Sequence, residues 1–182
     1  MNLPNKLATL RMILIVPFII IFGIALSTED NQALSIVMRI ISCVIFLGAA
    51  ITDYYDGKIA RKYNLITNLG KLIDPLADKI LVISVLVILV KYNQINLWIV
   101  LIIIFRELFI TGLRSIAATE GKVIAAETLG KWKTMTQMIA LTLIILFPMS
   151  YTVNNTLLII PLLLTILSGV EYFMKSKDIF NK

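Results

Sequence analysis

The chain has 182 residues, of which 59% are hydrophobic, and it contains no histidine and a single cysteine. Its length indicates one domain, residues 1–182, and the scarcity of cysteine and histidine excludes a disulfide framework or a Cys/His metal site. The net charge of +6 comes from basic residues beside apolar segments, which argues against nucleic acid as a partner. So much apolar surface indicates a protein embedded in membrane lipid.

Six apolar segments are close to the length of about 20 residues that a helix needs to cross a bilayer. They lie at roughly 8–27, 33–52, 72–92, 95–113, 134–150 and 156–173. The first segment lacks a small-residue cleavage site, so we expect it to remain in the protein. The sequence therefore predicts an all-α polytopic membrane protein with six transmembrane helices.

The basic residues predict the orientation of these helices. With six spans both termini lie on one side, and the loops on the other side contain a single lysine, Lys91. The positive-inside rule places the termini in the cytoplasm and the protein in the cell membrane. Arg39 lies toward the outer end of the second span, where we expect its side chain to extend to the outer interface. The basic residues on the cytoplasmic side are Lys6, Arg11, Lys58, Arg61, Lys62, Lys71, Arg114, Lys122, Lys131, Lys133, Lys175, Lys177 and Lys182.

Four of the six aspartates lie between the second and third spans: Asp53, Asp56, Asp74 and Asp78. On helices the first two share a face, and so do the last two. A loop of about eight residues joins the helices, which predicts antiparallel neighbours. The four carboxylates then converge at the boundary between membrane and cytoplasm.

Such a cluster requires compensation, because like charges ~4 Å apart repel by about 4 kcal/mol at an effective dielectric constant near 20. Two divalent ions would neutralise four carboxylates, and oxygen ligands favour Mg²⁺, Ca²⁺ or Mn²⁺ over zinc. Paired metals stabilise phosphoryl displacement. The alternative is that the aspartates form solvated ion pairs with nearby lysines.

The residues around the aspartates indicate a ligand cavity. Gly57 and Ala60 share a face with Asp53 and leave space beside the metals, and Arg61 is suited to bind a pyrophosphate. Pro75 disfavours the α conformation at Asp74. The third helix is therefore expected either to begin at Pro75, with Asp74 as its cap, or to be kinked there.

These residues together carry a family resemblance: Asp53-x-x-Asp56-Gly57-x-x-Ala60-Arg61, eight residues, then Gly70-x-x-x-Asp74-x-x-x-Asp78. The pattern resembles the signature of the CDP-alcohol phosphotransferases. The resemblance implies their six-helix membrane fold, a homodimer, and Mg²⁺ or Mn²⁺ held by the four aspartates. It further implies that Asp78 is the general base, and that the CDP moiety is bound by Asp53, Gly57, Ala60 and Arg61.

Shorter motifs resemble the branch of this family whose acceptor is sn-glycerol 3-phosphate. The opening, with Pro4, Asn5, Thr9 and Arg11, is one of them, and it adds Asn5 to the expected CDP-binding residues. The opening residues could instead simply start the first helix, with Asn5 or Thr9 as its cap. The other motifs are Arg106-Glu107-Leu108, Leu113-Arg114 and Gly130-Lys131-x-Lys133-Thr134-x-x-Gln137.

An anionic acceptor also agrees with the charges. Arg114, Lys131 and Lys133 lie at the cytoplasmic ends of the fourth and fifth helices, where we expect them to bind the acceptor phosphate. Arg106 lies deeper and is expected to face Glu107 or a polar cavity. Glu107 and Arg114 share a face and are expected to pair. The alternative for the three cytoplasmic cations is anchoring to anionic lipid.

The predicted reaction transfers the phosphatidyl group of CDP-diacylglycerol to glycerol 3-phosphate, with Asp78 accepting the proton of the attacking hydroxyl. The same chemistry with inositol phosphate, serine or phosphatidylglycerol as acceptor remains an alternative. A divalent-cation transporter is a more distant one, because such proteins need polar residues near the membrane midplane, and these aspartates lie at one boundary.

Overall fold

A computed structural model describes residues 3–28, 30–62, 68–119 and 128–175, with side chains for 9–28, 30–52, 79–117 and 128–175. Within these ranges the chain forms six α-helices and no β-strand, which confirms the all-α prediction. The helices are α1 (Leu3–Ser27), α2 (Gln32–Lys62), α3 (Asn68–Lys91), α4 (Leu97–Thr119), α5 (Thr128–Leu146) and α6 (Tyr151–Lys175).

Each of the six predicted spans corresponds to one of these helices. Among the described residues, three segments are long and apolar enough to cross a membrane: Thr9–Ser27, Gln32–Thr52 and Tyr151–Lys175. Helices α4 and α5 carry charged residues within their apolar length, and the side chains of α3 are described only from residue 79. The apolar helices identify an integral membrane protein.

Two predicted boundaries are wrong, and a proline explains one of them. The fifth span was expected to reach residue 150 with Pro148 inside it, but α5 ends at Leu146. Proline has no N–H to donate and disfavours helical geometry at the residue before it. The outer loop predicted at Tyr151–Asn155 is instead the first turn of α6.

The described helices form two compact units. The first, Met1–Tyr92 with Thr142–Pro148, contains α1, α2, α3 and the last turn of α5. Phe18 and Phe22 of α1 are fully buried there, and Phe18 lies 6.2 Å from Phe46 of α2 between ring centroids. Helix α1 packs against both α2 and α3. The single domain predicted for residues 1–182 remains a prediction.

The second unit, Asn93–Leu141 with Met149–Lys182, contains α4, most of α5, and α6. Asn96 caps α4, since its side-chain oxygen accepts a hydrogen bond of 2.8 Å from the N–H of Trp98. Asn155 Oδ1 accepts the N–H of Asn96 at 2.8 Å and so ties the start of α6 to the start of α4. Ile110 and Leu113 of α4 pack with Tyr172 of α6 in the core.

The expectation for Arg39 is wrong, because its side chain is buried, with 2% of its surface exposed. Its Nη1 donates to the carbonyl oxygens of Ile144, Ile145 and Phe147 at 3.2, 3.3 and 3.5 Å. The carbonyls at a helix C-terminus lack partners within the helix. Ile144 would normally receive the N–H of residue 148, which is a proline. Arg39 therefore caps α5 and neutralises the negative end of its dipole.

We expect Arg39→Ala to lower the free energy of unfolding by about 3 kcal/mol, since it leaves buried carbonyls without donors. The midpoint of thermal unfolding of the purified protein in detergent measures this. Arg39→Lys keeps the charge and should lose less. An unchanged midpoint for Arg39→Ala would mean that water or lipid replaces the cap at no cost.

Candidate functional site

The four aspartates lie on two helices that contact each other. Helices α2 and α3 pack against each other and are joined by residues 63–67, so they run as antiparallel neighbours. Asp56 lies six residues before the end of α2 and Asp74 six residues after the start of α3, about 9 Å along each axis. Asp53 and Asp78 are nine and ten residues from the same ends, about 14 and 15 Å.

The residues that the sequence predicted as metal ligands thus lie at similar distances from the end of α2 and the start of α3, and their convergence remains a prediction. Their side chains, and those of Asn5, Gly57, Ala60 and Arg61, lie outside the described residues. Helix α3 begins at Asn68 and includes Asp74 and Pro75. The expectation that α3 begins at Pro75 is therefore wrong, because the helix starts two turns earlier.

The donor set fits a hard divalent cation. Four carboxylates supply only oxygen ligands, which suit Mg²⁺ or Mn²⁺, and the chain has no histidine to compete. The single cysteine, Cys43, is buried in α2, well before Asp53. Within the side chains that the structure describes, no group of three acidic, cysteine or histidine residues could hold a metal. The metal site therefore remains a prediction on the four aspartates.

Arg11 of α1 is a buried cation that the sequence did not assign to the site. Only 2% of its surface is exposed, and its helix packs against both helices that carry the aspartates. A buried guanidinium must be compensated by acceptors or by negative charge. Arg11 belongs to the opening motif, but the positive-inside interpretation did not predict that its side chain is buried.

A second group of charged residues links the three helices of the other unit. Glu107 of α4 accepts hydrogen bonds from Lys133 of α5 and from its neighbour Arg106, the latter at 3.2 Å from Nη1 to Oε1. Arg106 Nη2 also donates to Ser168 Oγ of α6 at 2.9 Å. The prediction that Arg106 faces Glu107 is confirmed. Among the described side chains, two cations share this one carboxylate in a largely buried place.

The other two predicted phosphate-binding residues are placed differently. Lys131 is exposed, and so is Arg114, whose guanidinium carbon lies 5.4 Å from the centre of the Tyr172 ring, within cation–π distance. The expected pair of Glu107 and Arg114 is wrong, because Glu107 is held by Arg106 and Lys133. Of the four predicted residues, the structure brings Arg106 and Lys133 together.

Gln137, one turn after Lys133 on α5, is a polar residue for which no role was predicted from the sequence. It is 3% exposed, and its side-chain nitrogen has no hydrogen-bond partner among the residues that the structure describes. A buried donor left unpaired costs about 1–3 kcal/mol. Lys133 and Gln137 share a face of α5, and both carry donors, which is suited to an anionic or hydroxylated ligand.

The comparisons with known proteins show the family of the chain. Residues 1–167 match the model of the CDP-alcohol phosphatidyltransferase family, and the chain belongs to this family. Its membership favours a transferase over a cation transporter. A protein of Bacillus subtilis (strain 168) is 40% identical over 186 residues, which cover 96% of this chain and 95% of the relative.

Other relatives come from other bacteria. A protein of Rickettsia bellii (strain RML369-C) is 37% identical over 185 residues, which cover 98% of this chain and 97% of the relative. A protein of Mycoplasma pneumoniae is 37% identical over 164 residues, which cover 85% of this chain and 72% of the relative. All three bear the name "CDP-diacylglycerol--glycerol-3-phosphate 3-phosphatidyltransferase".

Proposed function

We propose that the protein transfers the phosphatidyl group of CDP-diacylglycerol to sn-glycerol 3-phosphate, giving phosphatidylglycerol phosphate and CMP. The observation that carries this proposal is the similarity along nearly the whole chain to relatives named for that reaction. Two further features support it independently. The four aspartates on neighbouring helices suit a diphosphate with metal, and the cationic group of the second unit suits an anionic acceptor.

In the proposed reaction Asp78 accepts the proton of the C1 hydroxyl of glycerol 3-phosphate. The hydroxyl oxygen forms a bond to the phosphorus that carries diacylglycerol, and the bond from that phosphorus to the bridging oxygen breaks. CMP departs with the electron pair. Asn5, Gly57, Ala60 and Arg61 are proposed to hold the CDP moiety in place during this exchange.

Members of this family generally depend on a divalent cation. We propose that Asp53, Asp56, Asp74 and Asp78 hold it, as two Mg²⁺ or Mn²⁺ ions. A bound cation would neutralise the diphosphate and make the acceptor hydroxyl more acidic. The contribution of the chain is to carry the four acids as two pairs on two neighbouring helices.

The acceptor phosphate is assigned to Lys133 and Arg106, with Arg114 and Lys131 nearer the cytoplasm. The first two are largely buried and share Glu107, so their positions are fixed before the acceptor arrives. Buried cations bind a phosphate more strongly than exposed ones, because water screens them less.

The orientation and the oligomeric state belong to the same proposal. Basic residues on one side of the six helices support cytoplasmic termini and a cytoplasmic site, where the water-soluble acceptor is available. A homodimer is proposed from the family resemblance.

The test is CMP release by the purified protein with CDP-diacylglycerol, Mg²⁺ and one candidate acceptor at a time. We expect release with glycerol 3-phosphate and at most about a hundredth of that rate with serine, because a site built for a phosphate leaves its cations unpaired when the phosphate is missing. Inositol phosphate and phosphatidylglycerol are the other two candidate acceptors to be tested. Faster release with any of these three would overturn the acceptor assignment while leaving the reaction class intact.

A further inference from the structure

Two adjacent residues of helix α6 contact the side chain of Arg106. Ser168 accepts a hydrogen bond from Arg106 Nη2 at 2.9 Å. The adjacent Gly169 allows the stem of the arginine to lie against the α6 backbone, since a Cβ at this position would come within 3.2 Å of Arg106 Cγ and 3.7 Å of Nε. Ser168 thus fixes the guanidinium group of Arg106, and Gly169 provides space for the aliphatic part of its side chain.

The Ser168 hydroxyl has its orientation set by two bonds. It donates to the carbonyl oxygen of Thr165 at 3.2 Å and accepts from Arg106, and the residue is 2% exposed. With its proton committed to the helix backbone, the hydroxyl presents a lone pair to the guanidinium. Such bonds are stronger away from water than at an exposed surface.

The position of Arg106 also determines where Glu107 and Lys133 lie. Glu107 Oε1 accepts from both Arg106 and Lys133, so a displaced guanidinium would shift the shared carboxylate and with it the position of Lys133. Ser168 and Gly169 therefore act on Lys133 through Arg106 and Glu107.

We propose that Ser168 and Gly169 are positioning residues that hold Arg106 and Lys133 in the arrangement required by the acceptor phosphate. The proposal rests on the proposed function, since it assigns these two cations to the acceptor. Neither α6 residue contacts the acceptor in this scheme, and neither was singled out by the sequence motifs.

The first test is Gly169→Ala, with Gly112→Ala of α4 as the matched control, because a Cβ at Gly112 meets no atom of the described residues within 4 Å. We expect Gly169→Ala to raise the KM for glycerol 3-phosphate about tenfold, because small displacements of positioning groups are costly. Its KM for CDP-diacylglycerol should change less than about twofold, as should both constants of the control.

The second test is Ser168→Ala, with Ser168→Thr as the conservative variant that keeps the hydroxyl. The alanine variant should raise the KM for glycerol 3-phosphate about fivefold, and the threonine variant should recover most of the loss. A purely structural role would lower thermal stability and affect both substrates. If the KM values for the two substrates rise together, or if Gly169→Ala and Ser168→Ala both match Gly112→Ala, the proposal is wrong.

The wild-type protein assayed in parallel separates this proposal from the proposed function. If it uses inositol phosphate instead of glycerol 3-phosphate, the acceptor assignment fails, and the same KM comparison with inositol phosphate decides the role of α6. If its acceptor carries no phosphate, both proposals fall.

Discussion

Asp78→Asn is expected to lower the rate of CMP release by about a thousandfold or more, because a positioned general base contributes about 10²–10⁴-fold. An asparagine keeps the size of the side chain but cannot take the proton of the attacking hydroxyl. The predicted role of Asp78 as a metal ligand adds to the loss. The measurement is single-turnover CMP release at saturating glycerol 3-phosphate.

The matched control is Asp30→Asn, since Asp30 is exposed in the connection between α1 and α2. It should retain full activity, and both variants should keep the thermal unfolding midpoint of the wild type. A titration with Mg²⁺ separates the two roles of Asp78. Recovery of activity at high Mg²⁺ would assign it as a ligand alone, and undiminished activity at ordinary Mg²⁺ would remove it from the site.

The aspartates could be found from the sequence because both their spacing and their helices are local features. Asp53 and Asp56 share a helical face by their separation alone, and a short connection forces the next helix to lie alongside. Apolar length likewise predicted the six helices. The end of α5 was missed because Phe147 and Met149 continue the apolar run. The start of α6 was missed because its first turn contains the polar residues Asn154 and Asn155.

The partners of the buried cations could not be predicted, because they are distant in sequence. Arg39 meets the end of α5 more than one hundred positions later, and Arg106 meets Ser168 across 62 positions. Helical periodicity predicts which face of its helix a residue occupies, but it does not predict which other helix packs against that face. For this reason Arg39 was expected at the outer interface, and Glu107 was paired with Arg114.

The predicted acceptor-binding residues differ in how deeply they are buried. Their charges alone do not reveal this difference. Lys133 is 4% exposed, whereas Lys131, two positions earlier, is exposed on the same helix. A buried lysine must be paired to remain charged, and Glu107 supplies that charge. Lys133 is therefore fixed in place, while Lys131 is suited to attract an anion from solution.

Lys133→Ala is expected to raise the KM for glycerol 3-phosphate about 10- to 100-fold, with little change in the KM for CDP-diacylglycerol. A charge-assisted hydrogen bond contributes about 1.5–3 kcal/mol, and each 1.4 kcal/mol is about tenfold in affinity. The measurement is steady-state CMP release with each substrate varied in turn. Lys91→Ala, at an exposed lysine at the end of α3, is the control and should leave both constants unchanged.

Loss of Lys133 also removes one of the two cations on Glu107, so part of any effect could come from a disturbed α4. Lys133→Met removes the charge but keeps most of the volume of the side chain, and Glu107 stays paired with Arg106, so no unpaired charge remains buried and folding stability should be retained. If glycerol 3-phosphate still binds poorly to this variant, the loss belongs to the missing phosphate contact. If its KM returns to the wild-type value, Lys133 serves the packing of the helices and the acceptor phosphate is bound elsewhere.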